Sequence, residues 1–176
     1  ATFFATPSWI ENHRSLAIQI CQQGHEIQGL GEQAVCVEQM TAKACRKELR
    51  KIRETIGTVT EEPGVFFRIP GGEYNNEVLR TIYACGSYPV AWSVDSMDWK
   101  EYEASELVRQ LLQSCTIRDG EILRFHGEGE NTGEMVKLLH PRLKEEGYEA
   151  VTVSQMVYKD RYRMTTDGRQ IPEKSK

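Results

Sequence analysis

Residues 65–94 read VFFRIPGGEYNNEVLRTIYACGSYPVAWSV, two short apolar runs on either side of a helical pattern. Val65 to Ile69 is almost wholly β-branched or aromatic, which reads as a strand covered on both faces. Pro70-Gly71-Gly72 closes it, because proline and glycine punctuate regular structure. From Asn76 to Cys85, Val78, Leu79 and Ile82 recur at helical spacing, and Gly86 stands where a helix ends. Tyr88 to Val94 resumes as a strand. Strand, helix and strand in about thirty residues make a β-α-β unit, whose two strands run parallel.

The same alternation continues in both directions. Upstream, Ala1 to Thr6 (ATFFAT) is β-prone. Asn12 to Gln23 carries Leu16, Ala17, Ile20 and Cys21 on a helical stripe ended by Gly24, and His25 to Leu30 is a short strand. After Thr41, Cys45, Leu49, Ile52 and Ile56 mark an amphipathic helix with a solvated basic face of Arg46, Lys47, Arg50, Lys51 and Arg53. Downstream, Ser105 to Cys115 is a helix and Glu121 to His126 a strand. Thr132 to Glu146 is a helix that Pro141 should kink, and Glu149 to Val153 is the last strand. Beyond Tyr158 the chain turns polar, so residues 1–158 are expected as one domain and 159–176 as an exposed tail. The repeated order predicts an α/β fold with a parallel sheet under helices; open sheet and closed barrel share this pattern.

Composition removes other classes. A length of 176 residues fits one domain. With 22 Lys and Arg against 26 Asp and Glu, the charge of −4 argues against binding nucleic acid through phosphates. No run approaches the roughly 18 apolar residues of a membrane-spanning helix, and no signal peptide is expected within this chain. The five cysteines contain no C-x-x-C pair, so they read as buried reduced thiols.

In parallel α/β folds functional groups collect at the C-terminal ends of the strands. Arg68 ends VFFRI, Asp95 follows YPVAWSV, and His126 ends EILRFH. Such charges are costly unless they pair or work, so a shared cleft is expected, ahead of the alternative that Asp95 and His126 merely cap loops. Along EILRFH, alternation puts Arg124 on the His126 face. A carboxylate at Asp95 would fix the tautomer of His126.

Four segments carry a resemblance: ATFFATPSWIENH with ICQQGHEI, FFRIPGGEYNNEVL, WSVDSMDW, and GEILRFHGEGENT with EEGYEAVTVSQMV. Together they resemble the polysaccharide deacetylases of the NodB-homology class, carbohydrate esterases that remove acetyl groups from chitin, peptidoglycan or similar glycans. The ending YKDRYRMTTDGRQIP is similar to that of clostridial sporulation-associated members. The resemblance implies a distorted (β/α) barrel and a zinc or other divalent cation held by one Asp and two His. It also implies an Asp general base, with Arg68 orienting it and His126 as general acid. Asp95 would tune His126, while Pro70, Gly71 and Trp99 would line the substrate groove. Trp92 is expected in the core, since it alternates away from Asp95.

This chain departs from the pattern where the metal should be. The family's two ligand histidines correspond to Leu30 and Ala34, neither of which has a lone pair to donate. The strand carrying both aspartates would precede ATFF, so the barrel is expected to lack its first strand. Cys36 and Glu32 stand nearby without a common ligand spacing. No cofactor is therefore predicted, with zinc retained only if the site is active. Arg124 stands where the family is apolar, and is expected either to fill the metal's space while pairing with Asp95 or an anionic ligand, or to reach from the rim into solvent.

The expected function is a glycan-binding deacetylase homologue with a degenerate metal site. The alternatives are an active N-deacetylase and a structural envelope or spore protein. A second copy or another partner could cover the open barrel edge. The resemblance suggests the cell envelope or secretion.

Overall fold

The computed structural model describes residues 1–32, 41–61, 64–72, 74–115, 117–127 and 129–173. Four parallel strands stand side by side in sequence order: β1 (Thr2–Ala5), β2 (Glu26–Leu30), β3 (Phe66–Arg68) and β4 (Tyr88–Pro89). A second parallel pair joins β5 (Val94–Asp95) to β6 (Leu123–Arg124).

The helices form where their caps and stripes dictate. α1 (Pro7–Asn12) starts with Pro7 after Thr6, whose hydroxyl accepts from Trp9 N. α2 (Arg14–Gln22) follows, and Gly24 turns the chain at φ 80°. α3 (Ala42–Ile56) is capped by Thr41 and buries Cys45, Leu49, Ile52 and Ile56, the four residues its spacing picks out. It lies close on β2, because a Cβ on Gly29 would stand 2.4 Å from Ile52 Cγ2. α4 (Asn76–Ala84) is capped by Asn75 and buries Val78 and Ile82. These residues share one core with Ile10, Ala17, Ile27 and Phe67. A second core joins α5 (Ala104–Ser114) to α6 (Thr132–Glu145) through Leu107, Val108, Leu111, Met135 and Leu139. Burying each large aliphatic side chain stabilises by about 1.5–3 kcal/mol.

Several expectations need correction. The strand expected over Tyr88 to Val94 is broken in two, since Pro89 has no N–H and the last β3 contact is Val90 N to Phe67 O at 2.9 Å. The strand over Glu121 to His126 shortens to Leu123–Arg124. The last strand, Glu149 to Val153, does not form; α7 (Val153–Met156) begins there instead. A capping box between Thr152 and Gln155 starts that helix, a T-x-x-Q signal that outweighed the apolar alternation. The amino end of α7 is tied to the β1–β2 edge, where Val153 N donates to Thr2 Oγ1 at 2.8 Å and Ser154 N to Glu26 Oε1 at 3.1 Å. The polar tail is a hairpin of β7 (Tyr162–Met164) and β8 (Gln170–Pro172). Arg169 fastens it to Glu121 at 2.9 Å. α6 runs on through Pro141. No helix among the described residues is long and apolar enough to cross a membrane.

Candidate active site

The carboxyl ends of the parallel strands bring the expected residues to one rim. Leu30 is opposite Arg68 in the β2–β3 register, and Asp95 is opposite Arg124 in the β5–β6 register. Two residues beyond Arg124 stands His126. Pro70, Gly71 and Gly72 form a 3₁₀ turn just after β3, with Gly71 at φ 72° and Gly72 at φ 79°. A Cβ on Gly72 would lie 2.6 Å from the Trp92 ring, so only glycine lets that indole close over the turn.

The centre of the site is Asp98, not Asp95. Its side chain is fully buried, and Oδ1 accepts from His126 Nδ1 at 2.7 Å. It also accepts from the His126 backbone N at 3.0 Å, from Ser96 Oγ at 3.0 Å and from Thr132 Oγ1. Burial pushes the Asp98 carboxyl up, but the hydrogen bonds from Thr132, His126 and Ser96 outweigh it and hold the group at about 2. Gly129 keeps the turn closed, because a Cβ there would overlap the Asp98 carbonyl oxygen at 2.4 Å. Asp95 Oδ1 stands 4.0 Å from His126 Nδ1 and instead accepts from Met97 N at 2.9 Å. Its other oxygen faces Arg124 Nε at 3.5 Å.

Arg124 lies on the His126 face as strand alternation requires, and its Nη2 meets His126 Nε2. The arrangement that satisfies both ring contacts has Nδ1–H donating to Asp98 and Nε2 accepting from Arg124. Trp99 stands edge-on to His126 with ring centroids 6.2 Å apart, and is 56% exposed, with Lys100 Nζ 5.7 Å from its ring centroid.

Trp92 corrects a second expectation. It is not a core residue: Arg124 stacks on its ring at 3.9 Å and Arg68 lies 5.5 Å from the same ring. Alternation failed because the chain leaves the sheet between Pro89 and Val94. Arg68 also lies over Phe4 at 4.1 Å. Its Nε is buried without a hydrogen bond among the described residues, and burial, then the nearby Arg124 charge, lowers its pKa to about 10.

The described residues of this rim do not form a zinc centre. Leu30 ends β2 with a hydrocarbon side chain, and among the described residues no group of three His, Cys, Asp or Glu could hold a metal ion. Ala34 and Cys36 lie outside the described residues. Glu32 is engaged elsewhere, accepting from Ser8 N and Ser8 Oγ. His13 stacks on Trp9, His25 packs near Phe3, and His140 is exposed on α6.

Sequence reasoning named Arg68, Asp95, Arg124, His126 and Trp99, and all reach this rim. Ser96 and Thr132 were missed, as was the role of Trp92. Asp98 stood in the D-x-x-D-W segment, but strand alternation says nothing once the strand has ended.

Comparison with known proteins agrees with this architecture. The family model described as polysaccharide deacetylase matches residues 1–90 of the 176, and the chain belongs to that family. YlxY, an uncharacterized protein of Bacillus subtilis, is 27% identical over 157 residues, covering 89% of this chain and 48% of its own length. The peptidoglycan-N-acetylglucosamine deacetylase PgdA of Listeria monocytogenes is 28% identical over 159 residues, covering 89% of this chain and 32% of its own. The chain thus spans about half or less of these relatives. A CE4 family pseudoenzyme from Bacillus anthracis superimposes with a TM-score of 0.80 at 24% identity, over 89% of this chain and 54% of that one. The fold is the distorted (β/α) barrel type of the polysaccharide deacetylases.

Proposed function

We propose that this chain is a deacetylase-family protein that holds an N-acetylated glycan in its cleft and has weak or no metal-dependent hydrolytic activity. The observation that carries this reading is Leu30, a hydrocarbon at the rim position where the family resemblance puts a metal ligand. The chemistry of His126 points the same way. With Nε2 accepting from Arg124, the imidazole presents no proton there to a leaving amine. Trp99 supplies an exposed aromatic side chain for a sugar ring, next to His126.

Peptidoglycan is the glycan favoured by the relatives, since PgdA bears that substrate in its name. An envelope or spore-surface setting follows from the same resemblance. The likeness to PgdA equally favours a second reading, an active N-deacetylase.

Incubating the full-length protein with N-acetylglucosamine oligomers and added zinc, followed by mass spectrometry, separates the two. The proposal expects saturable oligomer binding with intact acetyl groups. Zinc-dependent loss of acetyl groups, abolished by a chelator, would establish the second reading.

A further inference from the structure

α3 is strongly basic in a chain whose net charge is −4. It carries Lys43, Arg46, Lys47, Arg50, Lys51 and Arg53 against Glu48 and Glu54. Residues three and four apart share a helix face, so Arg46, Arg50 and Arg53 stand in one row. Beside that row, where α4 ends, lies a cavity of about 380 Å³ lined by Arg46, Leu49, Arg50, Arg53, Glu54 and Cys85. It shares no residue with the rim of Asp98, His126 and Trp99. α4 runs from the turn after β3 down to Ala84, and Tyr88 then opens β4, so the cavity lies toward the amino ends of the strands.

The fold shapes this cavity. Arg53 is half-buried and donates through Nη1 to the Cys85 carbonyl oxygen at 2.8 Å, which holds its guanidinium against the end of α4. Leu49, buried, gives an apolar floor. Lys51 is engaged by Glu32 at 3.8 Å, whereas among the described residues Arg46, Arg50 and Arg53 form no ion pair. Three guanidinium groups and the one carboxylate of Glu54 leave the lining with a positive excess of two. A phosphate monoester carries about −1.5 to −2 at neutral pH, and its three oxygens match the planar forks of arginine. The volume of about 380 Å³ is in the range of roughly 300–1,000 Å³ that small-molecule sites occupy, which leaves room for more than the phosphate itself.

We infer that the cavity between α3 and the end of α4 binds a small organic phosphate monoester. The phosphate lies among Arg46, Arg50 and Arg53, and the organic part rests on Leu49 and the Cys85 side chain. The inference is independent of the glycan reading.

Calorimetric titration of the full-length protein with glucose 6-phosphate, glycerol 3-phosphate, glucose and inorganic phosphate tests it. At least one ester should bind saturably, about tenfold or more tighter than inorganic phosphate, and glucose should not bind. The affinity should fall as salt rises. Arg46→Gln and Arg50→Gln alter exposed side chains, and each should weaken the ester by about tenfold or more, the usual effect of losing a charged hydrogen bond. Lys43→Gln removes the same charge from α3 outside the cavity and should weaken it by less than about twofold. A further readout needs no variant: bound ester should slow labelling of Cys85 by N-ethylmaleimide, followed by peptide mass spectrometry, and leave Cys115 unaffected. Binding of neither ester would overturn the inference. So would inorganic phosphate binding as tightly as the esters, an equal loss in Lys43→Gln, or unchanged labelling of Cys85 at saturation.

Discussion

Asp98 and Arg68 are both ionisable residues at the rim of the same fold, and their surroundings are opposite. Asp98 is enclosed by donors on every side: His126, Ser96 and Thr132 all point at its two oxygens. Arg68 lies against aromatic rings, and among the described residues its Nε has no acceptor. A buried charge that is fully hydrogen-bonded acts as a structural hub, since removing it strands every partner. A buried charge without an acceptor works against the fold, because nothing offsets its loss of water.

The largest test of this contrast is Asp98→Ala. It leaves two donors of His126 and two hydroxyls unpaired, and should cost about 3 kcal/mol in urea unfolding. A loss no larger than that of an exposed carboxylate would show that the hub is not one.

The next effect is on acid stability. Asp98 titrates at about 2 in the fold, below its ordinary 3.8, so the fold favours the charged form. Its contribution is complete above about pH 4 and drains away as pH falls from there toward 2. The stability difference between wild type and Asp98→Asn should therefore narrow across that interval. A constant difference would contradict the assignment.

Arg68→Met should leave stability unchanged or raise it by up to about 1 kcal/mol, because an apolar side chain replaces a buried cation that has no acceptor among the described residues. A cost matching that of Asp98→Ala would erase the contrast. Smallest of all, Arg169→Ala opens a clamp that is half-exposed at Arg169 and buried at Glu121, and should lower stability by about 0.5 kcal/mol.

Much of this molecule was legible in its sequence. The α3 stripe and the stops at Gly24 and Gly86 follow from helical period and glycine chemistry, which are local. The rim was legible because parallel strands deliver their ends to one side, and Arg124 because alternation is strict within a strand. Asp98, Ser96, Thr132 and Trp92 were harder, since each lies where the strand has ended or broken and a loop sets its direction. The terminal hairpin was hidden by its polarity. Its turn at Asp167-Gly168 and the Thr165–Arg169 backbone bond are turn chemistry rather than an apolar pattern.

The proposed function stands or falls on whether the rim holds a glycan without a resident metal. Equilibrium dialysis of the full-length protein against zinc, with bound metal counted by atomic emission, tests it most directly. The account predicts no stoichiometric ion after dialysis. One tightly held ion per chain, whose removal by a chelator ends release of acetate from N-acetylglucosamine oligomers, would contradict it.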